Sequence, residues 1–290
     1  MSASAVRYKT VDLGEVEMFY RECGDTAAPT LLLLHGFPTS SHMFRDLIPR
    51  LSDRYWVIAP DLPGFGYTKA PVRGQYAYTF ANLYSAVRTF VDAVGLRRFA
   101  MLVFDYGAPV GFRLASAYPG RIAALISQNG NAYEEGLREG TLAPMRAYWN
   151  HPTASNRNAL RSFLSLDGTR FQYMQGVPED IIELVSPDAI AHAQAIVDRD
   201  PEIQLDLFGD YKTNVVLYPR WQDYLREAKP PLLAVWGNGD PFFGPSGAHA
   251  FRKDIPNAEI HLFDTGHFAL ETHGSQIAVL IRGFLDRHTF

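Results

Sequence analysis

One aspartate, Asp105, stands where a predicted buried strand turns into a helix. The apolar stretch 98–104 precedes it, and the small residues Gly107 and Ala108 follow, which let the chain turn sharply and the helix pack close to the strand. A carboxylate at such an apex can cap the helix. It can also act as a nucleophile, because with a usual pKa of about 3.9 it is ionised at neutral pH and attacks without help from a base.

Four further stretches rich in glycine, proline, histidine or aspartate directly follow predicted strands. Each of them could be an ordinary turn, since glycine, proline and aspartate favour turns. The glycines of the second stretch mainly permit the turn, so we interpret that stretch as structural. The four are His35-Gly36-Phe37-Pro38, Asp61-Leu62-Pro63-Gly64-Phe65-Gly66, Trp236-Gly237-Asn238-Gly239-Asp240-Pro241 and Asp264-Thr265-Gly266-His267-Phe268.

The elements that must position these stretches alternate between strands and helices. Two antiparallel strands are predicted over residues 6–22, joined near Gly14, and the apolar run 30–35 predicts a central buried strand. Alternation of this kind predicts a mostly parallel sheet flanked by helices. The other predicted strands are 55–60, 98–104, 122–129, 231–236 and 259–263, and the predicted helices are 41–52, 79–95, 108–118, 247–254 and 275–287.

The alternation is interrupted once, from residue 134 to about 226. This stretch is rich in tyrosine, arginine, asparagine and proline, favours short helices and contains no convincing strand. We therefore expect a core domain formed by residues 1–133 and 227–290, with residues 134–226 as an inserted helical cap domain.

Taken together, the stretches resemble the α/β-hydrolase superfamily, and more narrowly its branch with an aspartate nucleophile. The resemblance implies an α/β fold with a mostly parallel eight-stranded sheet and a helical cap inserted after strand six. It implies that Asp105 is the nucleophile, His267 the base and Asp240 the acid that orients this histidine. The backbone N–H groups of Phe37 and Tyr106 would form the oxyanion hole. Hydrolysis would then proceed through an alkyl ester on Asp105.

Within this branch the chain is most similar to epoxide hydrolases. These enzymes carry the sequence His-Gly-Phe-Pro, place the acid after strand seven, and use two cap tyrosines to protonate the epoxide oxygen. The resemblance assigns the tyrosines to Tyr173 and Tyr218, with Tyr211 as the substitute. A phenol with a pKa of about 10 suits a developing alkoxide. The chain departs from these enzymes in having Phe104 before the nucleophile and Tyr106 after it, where histidine and tryptophan are usual.

Dehalogenation of a haloalkane or haloacid by the same three residues is the alternative. Haloalkane dehalogenases bind halide through a tryptophan and an asparagine at the positions of Tyr106 and Phe37, although Trp149 or Trp221 of the cap could replace those donors. Fluoroacetate dehalogenases carry arginine after the nucleophile. Some dehalogenases place the acid after strand six, but residues 128–131 (Gln-Asn-Gly-Asn) contain no carboxylate.

A ligand receptor that keeps this fold without chemistry is an alternative from another class. The intact set of Asp105, Asp240 and His267 disfavours it.

Composition restricts the partners further. The net charge of −4, with no basic stripe, argues against nucleic acid and anionic membranes as ligands. Cys23 is the only cysteine, which excludes an intrachain disulfide and favours a reducing cytoplasm. We expect no signal segment and no membrane span. The expected ligands are a small apolar organic substrate and water, without cofactor or metal, in a protein that could form a homodimer.

Overall fold

An eight-stranded sheet lies at the centre of the protein in the computed structural model, which describes residues 5–288. Residues 1–4 and 289–290 of the predicted core domain lie outside the described residues. The strands are β1 (Arg7–Asp12), β2 (Glu17–Cys23), β3 (Thr30–Leu34), β4 (Trp56–Pro60), β5 (Phe99–Phe104), β6 (Ile122–Gln128), β7 (Leu232–Gly237) and β8 (Glu259–Phe263).

The sheet is mostly parallel. Its strand order is β1-β2-β4-β3-β5-β6-β7-β8. Strand β2 runs antiparallel to both of its neighbours, and the remaining strands pair in parallel. The predicted fold class is therefore confirmed. Because the parallel strands share one direction, their carboxyl ends meet along one edge of the sheet, where the chemistry-bearing stretches begin.

Helices cover both faces of the sheet, which explains why its central strands are mostly apolar. In β3, Leu32 and Leu34 belong to one buried cluster, whereas Leu31 and Leu33 belong to another. Successive side chains of a strand point to opposite faces, so a strand buried on both sides needs an unbroken apolar run. The helices are α1 (Leu47–Leu51), α2 (Phe80–Ala93), α3 (Gly107–Ala117), α4 (Glu139–Asn150), α5 (Ala154–Ala159), α6 (Leu166–Met174), α7 (Pro187–Val197), α8 (Pro201–Asp210), α9 (Lys212–Ala228), α10 (Pro245–Ala250) and α11 (Ala269–Arg287).

Between β6 and β7 the described chain forms helices α4 to α9 and no strand. We call residues 134–228 the helical segment. Its last helix ends at Ala228, so the predicted boundary at residue 226 falls inside α9. That the helical segment is a separate cap domain stays a prediction. Among residues 5–288 no helix combines the length and apolar character needed to cross a bilayer.

Three predicted helices differ from the observed ones, and one of them, predicted over 247–254, is α10 followed by a 3₁₀ turn, Phe251–Lys253. The helix predicted over 41–52 is a 3₁₀ turn, Ser41–Phe44, followed by the short α1. The N–H of Ser41 donates to Asp61 at 2.7 Å, which ties the start of this turn to the loop after β4. Helix α11 begins at Ala269 and not at 275, with non-helical backbone at His273. This kink separates the first turn from the apolar periodicity that follows, so periodicity alone does not reveal it.

Helix α3 approaches β3 so closely that only glycine fits at its first residue. A Cβ atom at Gly107 would overlap the backbone carbonyl of Leu34, and backbone atoms cannot move aside as a flexible side chain can. The turn before α3, which contains Asp105, is thereby held against the carboxyl end of β3.

The substitution Gly107→Ala is expected to destabilise the protein by about 2 kcal/mol, because the added methyl group forces α3 away from β3. The melting temperature should fall by about 4 °C or more. Gly140→Ala is the matched control, since Gly140 lies in α4 with open space at its Cβ position, and alanine stabilises a helix relative to glycine. Equal melting temperatures for the two variants would contradict the packing argument.

Candidate active site

Asp105 occupies the apex of the turn between β5 and α3. Its backbone φ of +45° lies in the left-handed region, which costs a non-glycine residue about 1–3 kcal/mol. Aspartate tolerates this region better than most residues do. The strained turn holds the carboxylate at the carboxyl end of β5, beside the loop that follows β3.

The loop after β3 supplies a hydrogen-bond donor to this carboxylate. The N–H of Phe37 donates to Asp105 Oδ1 at 2.6 Å, and the N–H of Tyr106 also stabilises the charged form. Gly36 makes the approach feasible, because a Cβ atom there would overlap the Asp105 side chain and lie 2.6 Å from Tyr106 N. The peptide bond between Phe37 and Pro38 is cis. The two N–H groups therefore converge as an oxyanion hole requires.

His267 and Asp240 meet next to Asp105, as the order of the stretches predicts. His267 Nδ1 lies 2.7 Å from Asp240 Oδ2, and His267 Nε2 lies 3.9 Å from Asp105 Oδ2. The remaining oxygen of Asp240 accepts from the N–H groups of Phe242 and Phe243 at 2.7 and 3.0 Å. Asp240 thus shapes its own turn and orients the imidazole, which leaves Nε2 directed towards Asp105.

Burial shifts the protonation equilibria of the two facing groups. It raises the pKa of Asp105 from 3.8 to about 6, although His267 and the N–H groups of Phe37 and Tyr106 oppose the rise. Burial also lowers the pKa of His267, but the charge and hydrogen bond of Asp240 outweigh that effect, so the pKa lies above its usual 6.5. Asp105 is therefore ionised at neutral pH, and the His267 imidazole is strengthened as a base.

Asn129, which the sequence interpretation overlooked, fixes Asp240 in place. Its Nδ2 donates to Asp240 Oδ2 at 2.7 Å, and its Oδ1 accepts from the N–H of Gly237 at 2.9 Å. The neighbouring Gln128 donates through Nε2 to the backbone carbonyl of His267 at 3.0 Å. Both residues lie at the carboxyl end of β6, where the mostly apolar sequence becomes polar. That change is visible in the sequence, but it had indicated only that no carboxylate follows strand six.

A mostly apolar cavity opens in front of Asp105. The lining residues that carry polar groups are Asp105, Tyr106, Gln172 and Tyr211. Its walls come from the core and from the helical segment: Phe37, Asp105, Tyr106, Leu142, Met145, Phe163, Gln172, Phe208, Tyr211, Phe242 and Phe243.

Tyr211 and Tyr218 form a hydrogen-bonded pair at this cavity. Tyr211 lines it and lies within hydrogen-bonding reach of Tyr218, which in turn accepts from Asn131 Nδ2 at 3.2 Å. Burial raises the pKa of Tyr211 well above 10. Burial also raises the pKa of Tyr218 to about 12, while the hydrogen bonds from Tyr211 and Asn131 oppose the rise. Both groups are neutral phenols at neutral pH and can donate.

Comparison with known proteins agrees with this architecture. The family model described as alpha/beta hydrolase fold matches residues 29–274, which is most of the chain. The chain belongs to the α/β-hydrolase fold family. The resemblance inferred from the sequence is thereby confirmed.

Several relatives of this hydrolase are similar over nearly their whole length. An uncharacterized hydrolase of Saccharomyces cerevisiae is 44% identical over 96% of this chain and 97% of its own. A haloalkane dehalogenase of Mycobacterium marinum is 34% identical over 96% of this chain and 91% of its own. Among solved structures, a variant of a candidate epoxide hydrolase from Pseudomonas aeruginosa has a TM-score of 0.74 and 24% identity, covering 98% of this chain and 96% of its own.

The hydrolase does not bring Tyr173 to the cavity. The ring of Tyr173 stacks on Phe268 with centroids 3.8 Å apart, and its hydroxyl lies near Thr39, Arg45 and Glu271. Adjacent residues of a helix point about 100° apart, so the cavity-facing residue of α6 is Gln172. Tyr218, the second predicted proton donor, does not line the cavity either. It is hydrogen-bonded to Tyr211, the predicted substitute, which does line the cavity.

The two tryptophans considered as halide donors also lie elsewhere. The indole N–H of Trp149 donates to the Phe208 carbonyl at 2.7 Å, and Trp221 stacks on Phe112. Neither lines the cavity. Among the described residues, no cluster of three or more His, Cys, Asp or Glu side chains is arranged to hold a metal ion.

The pKa of Asp105 leads to a stability prediction for Asp105→Asn. Because the folded-state pKa is raised, the stability that this group contributes is complete below pH 3.8 and is lost as the pH rises through about 6. Removing the charge should therefore raise the free energy of unfolding by about 3 kcal/mol at pH 8 and by about half as much at pH 5. Thermal unfolding at both pH values measures the difference. A gain of equal size at pH 5 and pH 8 would refute the assignment of the charge as its cause.

Proposed function

We propose that this hydrolase opens an epoxide to a vicinal diol through a covalent ester on Asp105. The observation that carries the proposal is the position of Tyr211, a neutral phenol that faces the same apolar cavity as the Asp105 carboxylate. An epoxide needs both groups, since its carbon must be attacked while its oxygen receives a proton.

In the first step the two oxygens of Asp105 have different tasks. Oδ1 is held by the N–H of Phe37, so Oδ2 is the oxygen free to attack a ring carbon. The carbon–oxygen bond of the ring breaks, and the electron pair stays on the epoxide oxygen, which takes the proton of Tyr211. In the resting pair the Tyr211 hydroxyl donates to Tyr218, so it must turn towards the epoxide oxygen to give up its proton. Asn131 donates to the oxygen of Tyr218, so the Tyr218 proton can then turn to the Tyr211 phenolate.

In the second step water hydrolyses the ester. His267 Nε2 removes a proton from water, whose oxygen adds to Cγ of Asp105. The distance of 3.9 Å from Nε2 to Oδ2 is too long for a hydrogen bond, so Nε2 is not held by the carboxylate and can accept a proton from water. The N–H groups of Phe37 and Tyr106 hold the oxyanion on Oδ1. Collapse expels the substrate alkoxide, which takes the proton from His267, and the proton left on Asp105 returns through solvent to Tyr211.

Haloalkane dehalogenation is the second candidate. It uses the same attack and hydrolysis, and the 34% identity to a haloalkane dehalogenase favours it. The cavity argues against it, because its lining includes no tryptophan, and Trp149, one of the two candidate halide donors, already donates its indole N–H to the Phe208 carbonyl. A halide leaves without a proton, so Tyr211 would have no acid role in that reaction.

The variant His267→Gln is expected to trap the ester. Asp105 can still attack, but hydrolysis loses its base and should slow by about 10²–10⁴-fold. Intact-protein mass spectrometry after mixing with an epoxide should show an increase equal to the whole epoxide mass. A bromoalkane that reacts instead would add the alkyl group alone and release bromide. Asp105→Asn is the control and should gain no mass; wild-type turnover without any adduct in His267→Gln would argue against an ester.

Removal of the Tyr211 hydroxyl separates the two candidates. Tyr211→Phe should lower kcat for an epoxide about 100-fold, because the leaving oxygen loses its proton donor, and should change turnover of any bromoalkane little. Tyr173→Phe is the matched control, since the ring of Tyr173 packs outside the cavity on Phe268. Initial rates of diol formation measure both variants. Equal rates for Tyr211→Phe and wild type would exclude Tyr211 as the acid.

A further inference from the structure

Gln172 lines the cavity and carries a hydrogen-bond donor without a partner among the described residues. The residue is only 3% exposed and lines the cavity in front of Asp105. Its Nε2 is buried and has no hydrogen-bond partner among the described residues. A buried amide N–H without a partner is unfavourable, so this position is suited to a partner that arrives with the ligand.

Two other polar groups of the cavity already have tasks, whereas Tyr106, whose ring packs against Phe37, Phe65 and Phe80, also has a buried hydroxyl without a partner among the described residues. The Asp105 carboxylate accepts from Phe37 and faces His267, and Tyr211 is paired with Tyr218. The amide of Gln172 has no such role in the proposed reaction. An amide N–H also has no acidic proton to transfer, so it suits an acceptor that is held and not protonated.

Gln172 and Tyr211 enter the cavity from different elements. Gln172 comes from α6, whose next residue, Tyr173, stacks on Phe268 beside His267. Tyr211 comes from the junction of α8 and α9, and its ring packs against Tyr106 and Phe80. His267 itself does not line the cavity. Gln172 and Tyr211 therefore line the same cavity from two different elements of the helical segment.

We infer that Gln172 is a specificity-determining residue that donates a hydrogen bond to an ether or carbonyl oxygen of the substrate, separate from the ring oxygen served by Tyr211. The inference rests on the proposed function, since it takes the epoxide to be the reacting group. The substrate class is an oxygen-substituted epoxide, held in apolar walls with one additional acceptor. A purely hydrocarbon epoxide leaves the amide unpaired and binds less well.

A matched pair of substrates tests this selectivity. n-Butyl glycidyl ether and 1,2-epoxyoctane have chains of equal length and differ by one oxygen in place of a methylene group. The wild type should favour the ether at least tenfold in kcat/KM. Gln172→Leu, which removes the donor and keeps an apolar side chain, should bring the ratio to about one. A ratio that Gln172→Leu leaves unchanged overturns the inference.

Gln204→Leu is the control for a merely structural effect. Gln204 is a buried glutamine of the same helical segment but does not line the cavity. Its substitution can lower the stability or the overall rate, but the ratio of the two substrates should stay at the wild-type value. A change in the ratio equal to that of Gln172→Leu would assign the effect to the fold of the segment and overturn the inference.

A binding measurement separates this inference from the proposed reaction. The corresponding diols, 3-butoxypropane-1,2-diol and octane-1,2-diol, bind without chemistry and can be titrated calorimetrically into the wild type and into Gln172→Leu. Tighter binding of the ether diol that disappears in Gln172→Leu supports the inference, even if no epoxide is turned over and the proposed function fails. Equal affinity of the wild type for the two diols, or no saturable binding of either, overturns it.

Discussion

A carboxylate must remain ionised where water is largely excluded, and the packing around Asp105 serves this constraint. Burial alone favours the neutral acid and raises the pKa to about 6. Two backbone N–H groups and the imidazole of His267 oppose it, and they can do so only at short range. Gly36 and Gly107 permit that range, because a Cβ atom at either position would overlap the neighbouring chain. The loop after β3 must therefore contact the turn after β5 closely, because only a close contact brings the N–H groups near enough to stabilise the Asp105 carboxylate.

The parts of the fold that follow from strand periodicity and glycine spacing could be predicted from the sequence. Strands buried on both faces have unbroken apolar runs, and the turns at their carboxyl ends lie on one edge, so Asp105, Asp240 and His267 had to come near each other. The helical segment was harder. Its helices are positioned by tertiary contacts with one another and with α3, and the rotation of α6 that turns Gln172 and not Tyr173 towards the cavity has no local signal.

The same limit applies to the tyrosine pair. Tyr211 and Tyr218 each have an apolar ring and a polar hydroxyl. The residue type therefore fits either the core or a cavity. Tyr211 lies at the junction between α8 and α9, where the chain changes direction, and that junction places its phenol in the cavity. Tyr218 lies two turns further along α9 and contacts Asn131 of the core. Which phenol meets a substrate therefore depends on a helix boundary, the feature that sequence patterns define least well.

The polar residues at the end of β6 allow a single carboxylate, Asp240, to orient His267. Asn129 touches the same oxygen of Asp240 that holds His267. If residue 129 were also a carboxylate, two negative groups would lie within hydrogen-bond distance, and one of them would have to take up a proton. The amide avoids this conflict, because it donates to Asp240 through one end and accepts from Gly237 through the other. Because no acid follows strand six, Asp240 is the single carboxylate that holds His267 Nδ1 and orients the imidazole.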